Sequence, residues 1–372
     1  MNKVLFVQFT DPGRYPPLQH AARILLRHGF AVEFVGSALD DGQPTPLPPD
    51  LAPLARYWNE QRVGWVNRLN YLLFCLRVAL LALRQRALVY GSDPLSTPLL
   101  YGLARCGLVV LYHEHDSPPD TAGTRFQRIV AAARRWLLDH VVSVFPSHGR
   151  QQAAAPRQRS FLVWNCPALQ EVRAIPRLPA SARPLRLYFH GSINALRLPL
   201  SLIEAMAQCG EAVELWIAGY ETQGSYGYLE ELRARAQALG VDGRLRLLGA
   251  HARDQLWAYC AEADVGICFY GMDRGGDINM RHMAGASNKP FDYLSQGMAL
   301  LFDDVPQWRQ LLAEQYGWAC DPTQPAELAK IIDQMSQDRA LVLAKGERGR
   351  LRVLAEWNYE QQFAPLLNHL RS

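Results

Sequence analysis

The chain has 372 residues, 49% of them apolar and 20% charged, which is the composition of a soluble globular protein and excludes a fibrous or disordered one. That length exceeds one ordinary hydrophobic core, so two domains are expected. The net charge of +4 is uneven: residues 1–170 hold 18 Lys and Arg against 11 Asp and Glu (+7), the remainder 21 against 24 (−3). Only the first part therefore suits an anionic surface or substrate, and with no reader motif nucleic acid is set aside.

The opening stretch "MNKVLFVQFTDPG" has too short an apolar run and no small-residue cleavage site for a signal peptide, and reads as a first strand. Strands are expected at Val4–Phe9, Val32–Val35, Leu88–Tyr90, Leu108–Tyr112, Val141–Phe145 and Phe161–Val163. Helical patterns fall between them, near residues 17–28, 65–86, 96–106 and 124–138. Alternation of this kind predicts a doubly wound, mostly parallel α/β sheet, whose ligands bind beyond the carboxyl ends of the strands. The loop after the first strand brings Asp11, Gly13, Arg14, Tyr15 and His20 toward that edge, and the loop after the third brings Ser92 and Asp93. The fourth ends in "YHEHDSPPD", which places His113, Glu114, His115 and Asp116 there. These residues suit polar contacts to substrate hydroxyls and acid/base work, with helix capping as the structural alternative. A metal is not expected, because no further His, Asp or Cys cluster has partner spacing.

Between Arg56 and Arg86 lie six arginines and one acidic residue, Glu60, interleaved with Trp58, Trp65, Tyr71 and Phe74. The apolar part, Leu69–Leu83, is fifteen residues, below the roughly 20 needed to span a bilayer, so a transmembrane helix is not expected. Two readings of residues 56–86 stand: a basic amphipathic segment on an anionic membrane surface, and a core-facing helix with a solvated basic face. The second is preferred.

Four prolines between Asn165 and Pro184 break the pattern, and residues 171–184 read as a linker after a first domain of residues 1–170. The pattern then restarts as a second α/β domain over residues 185–356. Its strands are expected at Leu185–Phe189, Val213–Ala218, Leu245–Leu248, Val265–Phe269, Ala299–Phe302 and Trp318–Cys320. Helices are expected near 198–208, 226–239, 253–262, 288–296, 325–337 and 339–356. Residues 357–372 form a terminal helix expected to pack back toward the first domain. Seven cysteines stand singly, at 75, 106, 166, 209, 260, 268 and 320, without any C-x-x-C; a reduced cytoplasmic compartment fits better than a disulfide framework.

In the second domain, Gly191 and Ser192 follow the first strand and Arg197 comes six residues after the glycine, a combination suited to a diphosphate through backbone N–H groups and bidentate charge. The long glycine-bearing loop 271–286 delivers the chain to "GASNKPFDYLSQG", Gly285–Gly297. Ser287 is expected to cap the helix there, with Asn288 beside it. The free N–H groups of the first turn and Lys289 then face an anion, and Asp292 reaches ribose hydroxyls. A capped helix whose Lys and Asp face water is the alternative.

These residues together resemble a GT-B glycosyltransferase of the family 4 type. The resemblance covers essentially the whole chain and is strongest from Leu185 onward. "SNKPFDYLSQGMALL" is similar to the family's Asn-Lys-x-x-Glu-Tyr pattern, with Asp292 where a glutamate holds the nucleotide ribose. Arg197 stands where a lysine meets the donor diphosphate, and His115 where a histidine contacts the donor sugar. Three features depart from the pattern: Ala284 replaces the first of two glutamates eight apart, Ser192 an arginine, and Asp292 a longer carboxylate. Asp277, Arg281 and His282 are the candidates to compensate.

The resemblance implies two Rossmann-like domains facing each other across a cleft, with the donor, a nucleotide sugar, on the second domain and the acceptor on the first. It implies transfer with retention and no obligatory metal or other cofactor. The acceptor is a glycan, a lipid-linked glycan or a small molecule, contacted by Asp11, Gly13, Tyr15, His20, Asp93, His113 and Asp116. A nucleotide-sugar epimerase on the same scaffold and a non-catalytic carbohydrate-binding module are the alternatives. The expected site of action is cytoplasmic, with the inner face of the membrane open through residues 56–86.

Overall fold

The computed structural model describes residues 3–38, 47–60, 65–118, 123–173, 183–210, 212–222, 224–271, 278–312 and 314–372. The chain forms two compact units, one of residues 1–165, 277–279 and 359–372, the other of residues 166–276 and 280–358.

The first unit runs β1 (Lys3–Val7), α1 (Pro16–Arg27), β2 (Ala31–Ala38), β3 (Ala55–Glu60), α2 (Trp65–Gln85), β4 (Leu88–Gly91) and α3 (Thr97–Arg105). It continues with β5 (Val110–His113), α4 (Arg125–His140), β6 (Val142–Phe145), α5 (His148–Ala154) and β7 (Ser160–Leu162). Its seven strands lie in the order β3-β2-β1-β4-β5-β6-β7, with every pair parallel. Strands buried on both faces explain the continuous apolar runs in their sequences. One core joins the sheet to α1 and the terminal helix through Phe6, Leu18, Phe34, Tyr359 and Phe363. The other joins it to α2, α3 and α4 through Leu5, Phe74, Leu100, Tyr112 and Leu137.

The second unit runs β8 (Leu185–Ile193), α6 (Leu200–Gln208), β9 (Val213–Glu221), α7 (Tyr228–Ala238), β10 (Leu245–Gly249), α8 (Arg253–Glu262) and β11 (Val265–Cys268). After α9 (Ile278–Arg281), a single turn shared by both units, come α10 (Lys289–Ser295), β12 (Ala299–Asp303), α11 (Pro306–Leu312) and β13 (Gly317–Cys320). Helices α12 (Pro325–Gln337) and α13 (Arg339–Ala355) close it, and α14 (Tyr359–Arg371) returns to the first unit. The six strands are parallel in the order β10-β9-β8-β11-β12-β13. The fold class expected from the sequence is therefore observed: two Rossmann-like parallel sheets, each in its own unit.

Each sheet reverses its strand order once, between β1 and β4 in the first unit and between β8 and β11 in the second. At such a reversal the loops leaving the two neighbouring strands diverge, opening a crevice at the carboxyl ends. The short helix α10 is seated near the second reversal by α13, whose Gly346 would collide through a Cβ with the Gly297 carbonyl and whose Gly349 would collide with Leu294. Only glycine allows that approach.

Four elements are not expected from the sequence. β3 is an edge strand of mixed polarity, "ARYWNE", without the alternation that marks a half-buried strand. Helices α5 and α11 are seven residues each and α9 is four, too short for a periodic signal. Helix α2 has the expected extent, Trp65–Gln85, but not the expected character. It extends beyond the fifteen-residue run, and Val66–Gln85 is long and apolar enough by length and composition to cross a membrane. Its exposed face is not the basic one expected but carries six leucines.

Candidate functional site

At the second sheet's reversal, β8 does not end at Phe189 as its apolar run suggests. It continues through Gly191 and Ser192 to Ile193, in register with β9 as far as Ile193 opposite Glu221. Gly191 and Ser192 are therefore strand residues and not a loop of free N–H groups, a correction to the reading from sequence. Gly191 is required twice over. Its φ is 119°, and Lys289 Cε lies 2.9 Å from the place a Cβ would occupy. Its partner Gly219 is equally constrained, because a Cβ there would meet the Gly191 carbonyl.

Two cations meet at this strand end. The Arg197 guanidinium bonds the Ser192 hydroxyl, and the turn carrying it is held by Asn194, whose side-chain oxygen accepts from the Leu196 and Arg197 N–H groups at 3.1 Å. Half-buried Lys289 lies over the rings of Phe189 and Tyr270, its Nζ 5.3 and 5.5 Å from their centroids. Burial, and then the neighbouring Arg197 charge, bring its pKa down to about 7. No ion pair to Lys289 or Arg197 occurs among the described residues. Two cations at a strand end, with no ion pair to either among the described residues, have the chemistry that suits an anion.

The helix start contributes less than expected. Ser287 does not cap α10: its N–H donates to the Met283 carbonyl at 3.0 Å, and its hydroxyl meets the Tyr270 hydroxyl at 2.5 Å. Asn288 occupies the cap position without a side-chain cap bond, and Pro290 in the first turn has no N–H to offer.

Asp292 is also reassigned. Its carboxylate is buried, taking a bidentate pair from Arg253 at 2.9 and 2.7 Å, with His190 Nε2 at 3.6 Å. Burial pushes its pKa up, but the Arg253 guanidinium and His190 together hold it below the ordinary carboxylate range. Expected to reach ribose hydroxyls, the carboxylate is here committed to Arg253 and tied to the fold through it. Arg253 also pairs with Glu171, at 2.8 Å, from the stretch expected to be linker. The Gln296 side chain donates to the Glu171 carbonyl at 2.8 Å. Neither Arg253 nor His190 stands out in the sequence, although Arg253 opens an expected helix and His190 directly follows an expected strand. Arg281 and His282, proposed to compensate for Ala284, meet Gln307: its amide donates to the Arg281 carbonyl at 2.9 Å and lies 3.3 Å from His282 Nδ1. Asp277 lies outside the described residues.

At the first sheet's reversal the chemistry is different. Asp93, buried after β4, accepts from the Phe9 N–H at 2.5 Å and the Ser96 N–H at 2.8 Å, tying the loops after β1 and β4 together. Burial pushes its pKa up to about 6. It borders a cavity of about 330 Å³ whose lining includes Thr10, Tyr15, Leu95, Ser117 and Phe126. Tyr15 also faces His115, with ring centroids 5.6 Å apart. His115 stacks on His113 at 3.8 Å, and the His113 Nδ1 meets the Tyr90 hydroxyl at 2.8 Å. Burial holds both imidazoles neutral, His115 down to about 3 with help from Arg150. The Nε2 of His115 is buried without a hydrogen-bond partner.

The remaining candidates of the first unit do not join this group. Asp11 caps the 3-10 turn Pro12–Arg14 by accepting from the Gly13 N–H at 2.9 Å. His20 sits in α1 against the Tyr359 ring, 5.3 Å away in the core. Glu114 is taken up by Arg134 in two bonds of 2.6 Å, and Asp116 is exposed beside Arg150 at 3.3 Å. Among the described residues no three His, Cys, Asp or Glu side chains converge as a metal site.

Residues 201–368 match a protein family described as glycosyl transferase-like. Comparison with curated protein sequences gives no match. Solved structures match over the full length. Anabaena Alr3699/HepE in complex with UDP and glucose is 16% identical, with all of both chains covered and a TM-score of 0.74. Sucrose-phosphate synthase from Thermosynechococcus elongatus is 15% identical over 100% of this chain and 98% of its own, also at 0.74. A glycosyltransferase from Rickettsia africae is 11% identical, covering 99% and 97%, at 0.75. At these identities the likeness establishes the fold, which is the GT-B architecture.

Proposed function

We propose that this chain is a glycosyltransferase that moves a sugar from a nucleotide-sugar donor to an acceptor hydroxyl. The observation that carries the reading is the pair Arg197 and Lys289 at the carboxyl end of β8, with no ion pair to either among the described residues and beside Gly191, whose φ of 119° favours glycine. The match to a glycosyl transferase-like family and the UDP and glucose bound to the Anabaena protein point the same way.

In this reading the second unit holds the donor diphosphate on Arg197 and Lys289. Preorganised cations stabilise the negative charge that grows there as the sugar–phosphate bond breaks, each charged contact worth about 1.5–3 kcal/mol. The first unit takes the acceptor in the cavity beside Tyr15 and Asp93, and neutral His115 positions the sugar through its Nε2. The anomeric carbon loses its bond to the phosphate oxygen and gains one to the acceptor oxygen, whose proton passes to the leaving phosphate. Transfer is front-face with retention, as the family 4 resemblance implies, and no residue pair is assigned a covalent step. The acceptor is a glycan, a lipid-linked glycan or a small hydroxylated molecule. Seven unpaired cysteines suit a reduced, cytoplasmic setting.

A thermal-shift panel of nucleotide sugars tests the reading, since a ligand that binds only the folded state raises apparent stability. UDP-sugars are expected to raise the melting temperature of the wild type and to do so much less for Lys289→Met. No shift with any nucleotide sugar removes the proposal. Interconversion of a nucleotide sugar incubated without acceptor replaces it with an epimerase.

A further inference from the structure

The face that α2 turns to solvent is the reverse of what a soluble protein exposes. Leu69, Leu72, Leu73, Leu76, Leu80 and Leu83 are all exposed, Leu72 at 63%, Leu76 at 57% and Leu80 at 55%. At about 100° per residue these six fall within an arc of roughly 100°, a continuous apolar stripe. The opposite side of the same helix, with Phe74, Val78 and Ala82, is buried in the core of the first unit. The helix is therefore apolar on both sides, and only one side has a protein partner among the described residues.

What borders the stripe indicates the missing partner. Arg68, Arg77 and Arg84 flank the leucines and are exposed, and the sequence from Gln61 to Ser92 contains no Asp or Glu. The pattern continues onto α4, where Phe126 and Ile129 are exposed next to Arg125 and Arg128. Tyr71 of α2 joins the two helices, its ring 5.2 Å from that of Phe126. Phe126 also lines the 330 Å³ cavity, so this surface and the cavity share a wall. A leucine stripe edged by arginines, with no carboxylate between them, fits acyl chains under anionic headgroups, the arginine stems lying along apolar surface with their charges at the phosphates. Another protein surface would have to supply an equally large apolar face ringed by acidic side chains. Although Val66–Gln85 is long enough to span a bilayer, spanning would pull Phe74, Val78 and Ala82 out of the core.

We infer that the first unit docks on an anionic bilayer through the leucine face of α2 and the adjoining first turn of α4, with α2 lying in the membrane plane. This goes beyond the transferase reading and does not rest on it.

The test is co-sedimentation of the full chain with vesicles of phosphatidylcholine, alone or in equal parts with phosphatidylglycerol. The wild type is expected to sediment with the mixed vesicles and weakly with the neutral ones. The variant Leu72→Glu/Leu76→Glu/Leu80→Glu is expected to stay in solution with either. Replacing Arg68, Arg84 and Arg128 by Gln is expected to weaken binding to mixed vesicles about a hundredfold, roughly fivefold per arginine. Both variants alter exposed positions, so melting temperature and nucleotide-sugar shifts should match the wild type, which separates this outcome from failure of the transferase reading. Wild type that stays in solution with mixed vesicles overturns the inference, as does a leucine variant that binds as the wild type does. A concentration-dependent dimer dispersed by the leucine substitutions, with no vesicle binding by the wild type, assigns the face to a second copy and overturns it as well.

Discussion

The two sheets reverse their strand order in the same way and place opposite chemistry at the reversal. In the first unit the crevice holds neutral His113 and His115, stacked, with Tyr15, and one carboxylate, Asp93, spent on backbone N–H bonds with its pKa raised to about 6. In the second it holds Arg197 and Lys289, crowded enough that one lowers the pKa of the other. Topology fixes where a ligand binds, and the few side chains at the strand ends fix its charge. The neutral crevice suits a hydroxylated molecule and the cationic one suits a diphosphate.

The largest expected effect tests whether Asp292 is an anchor or a ligand contact. Asp292→Ala leaves the part-buried Arg253 with only Glu171 to balance it, which should cost about 3 kcal/mol of stability by urea denaturation. A variant with unchanged midpoint and weakened nucleotide binding would return Asp292 to the ribose. Lys289→Met comes next. Losing one charged contact should weaken UDP-sugar binding by about 2 kcal/mol, near thirtyfold by calorimetry, with the fold intact.

The same lysine sets a pH dependence. Its folded pKa is depressed to about 7 from 10.5, so it is charged below that value and neutral above it. Binding of a nucleotide sugar, whose esterified diphosphate does not titrate in this range, should therefore weaken by up to about tenfold per pH unit above 7. The unliganded protein should gain stability over the same window, because the unfolded chain there binds more protons than the folded one. Lys289→Met should flatten both profiles; a flat profile in the wild type removes the lysine from the site. The smallest effect sharpens the division of labour between the units. Tyr15→Phe, in the neutral crevice, should change donor binding by less than about 0.5 kcal/mol while raising the acceptor KM severalfold. A large loss of donor affinity would show that the crevices do not divide the substrates in this way.

Much of this molecule was legible in the chain itself. Alternating apolar runs and helical patterns specified two parallel sheets, because strands buried on both faces must be apolar throughout and their crossovers amphipathic. Gly191, Arg197 and Lys289 stood out for the same kind of reason, as residue types with few structural uses at a strand end. The polar edge strand β3 and the short helices α5 and α11 escaped because a few residues carry no measurable period.

What the sequence determined, then, was the class of fold, the rim of each sheet and the charged residues near it. Tertiary structure alone decided which of those residues are available. Asp292 and Glu114 look alike in sequence to free carboxylates, yet each is consumed by an arginine distant in the chain, Arg253 and Arg134. Asp11 accepts from the nearby Gly13 N–H and Ser287 meets the Tyr270 hydroxyl, and the apolar residues of α2 that periodicity assigns to a core split between a buried face of Phe74, Val78 and Ala82 and an exposed face of leucines. The reason is that local pattern reports which face a residue occupies on its own element. Whether a side chain remains free depends on partners brought up by elements far away in sequence, which no local pattern records.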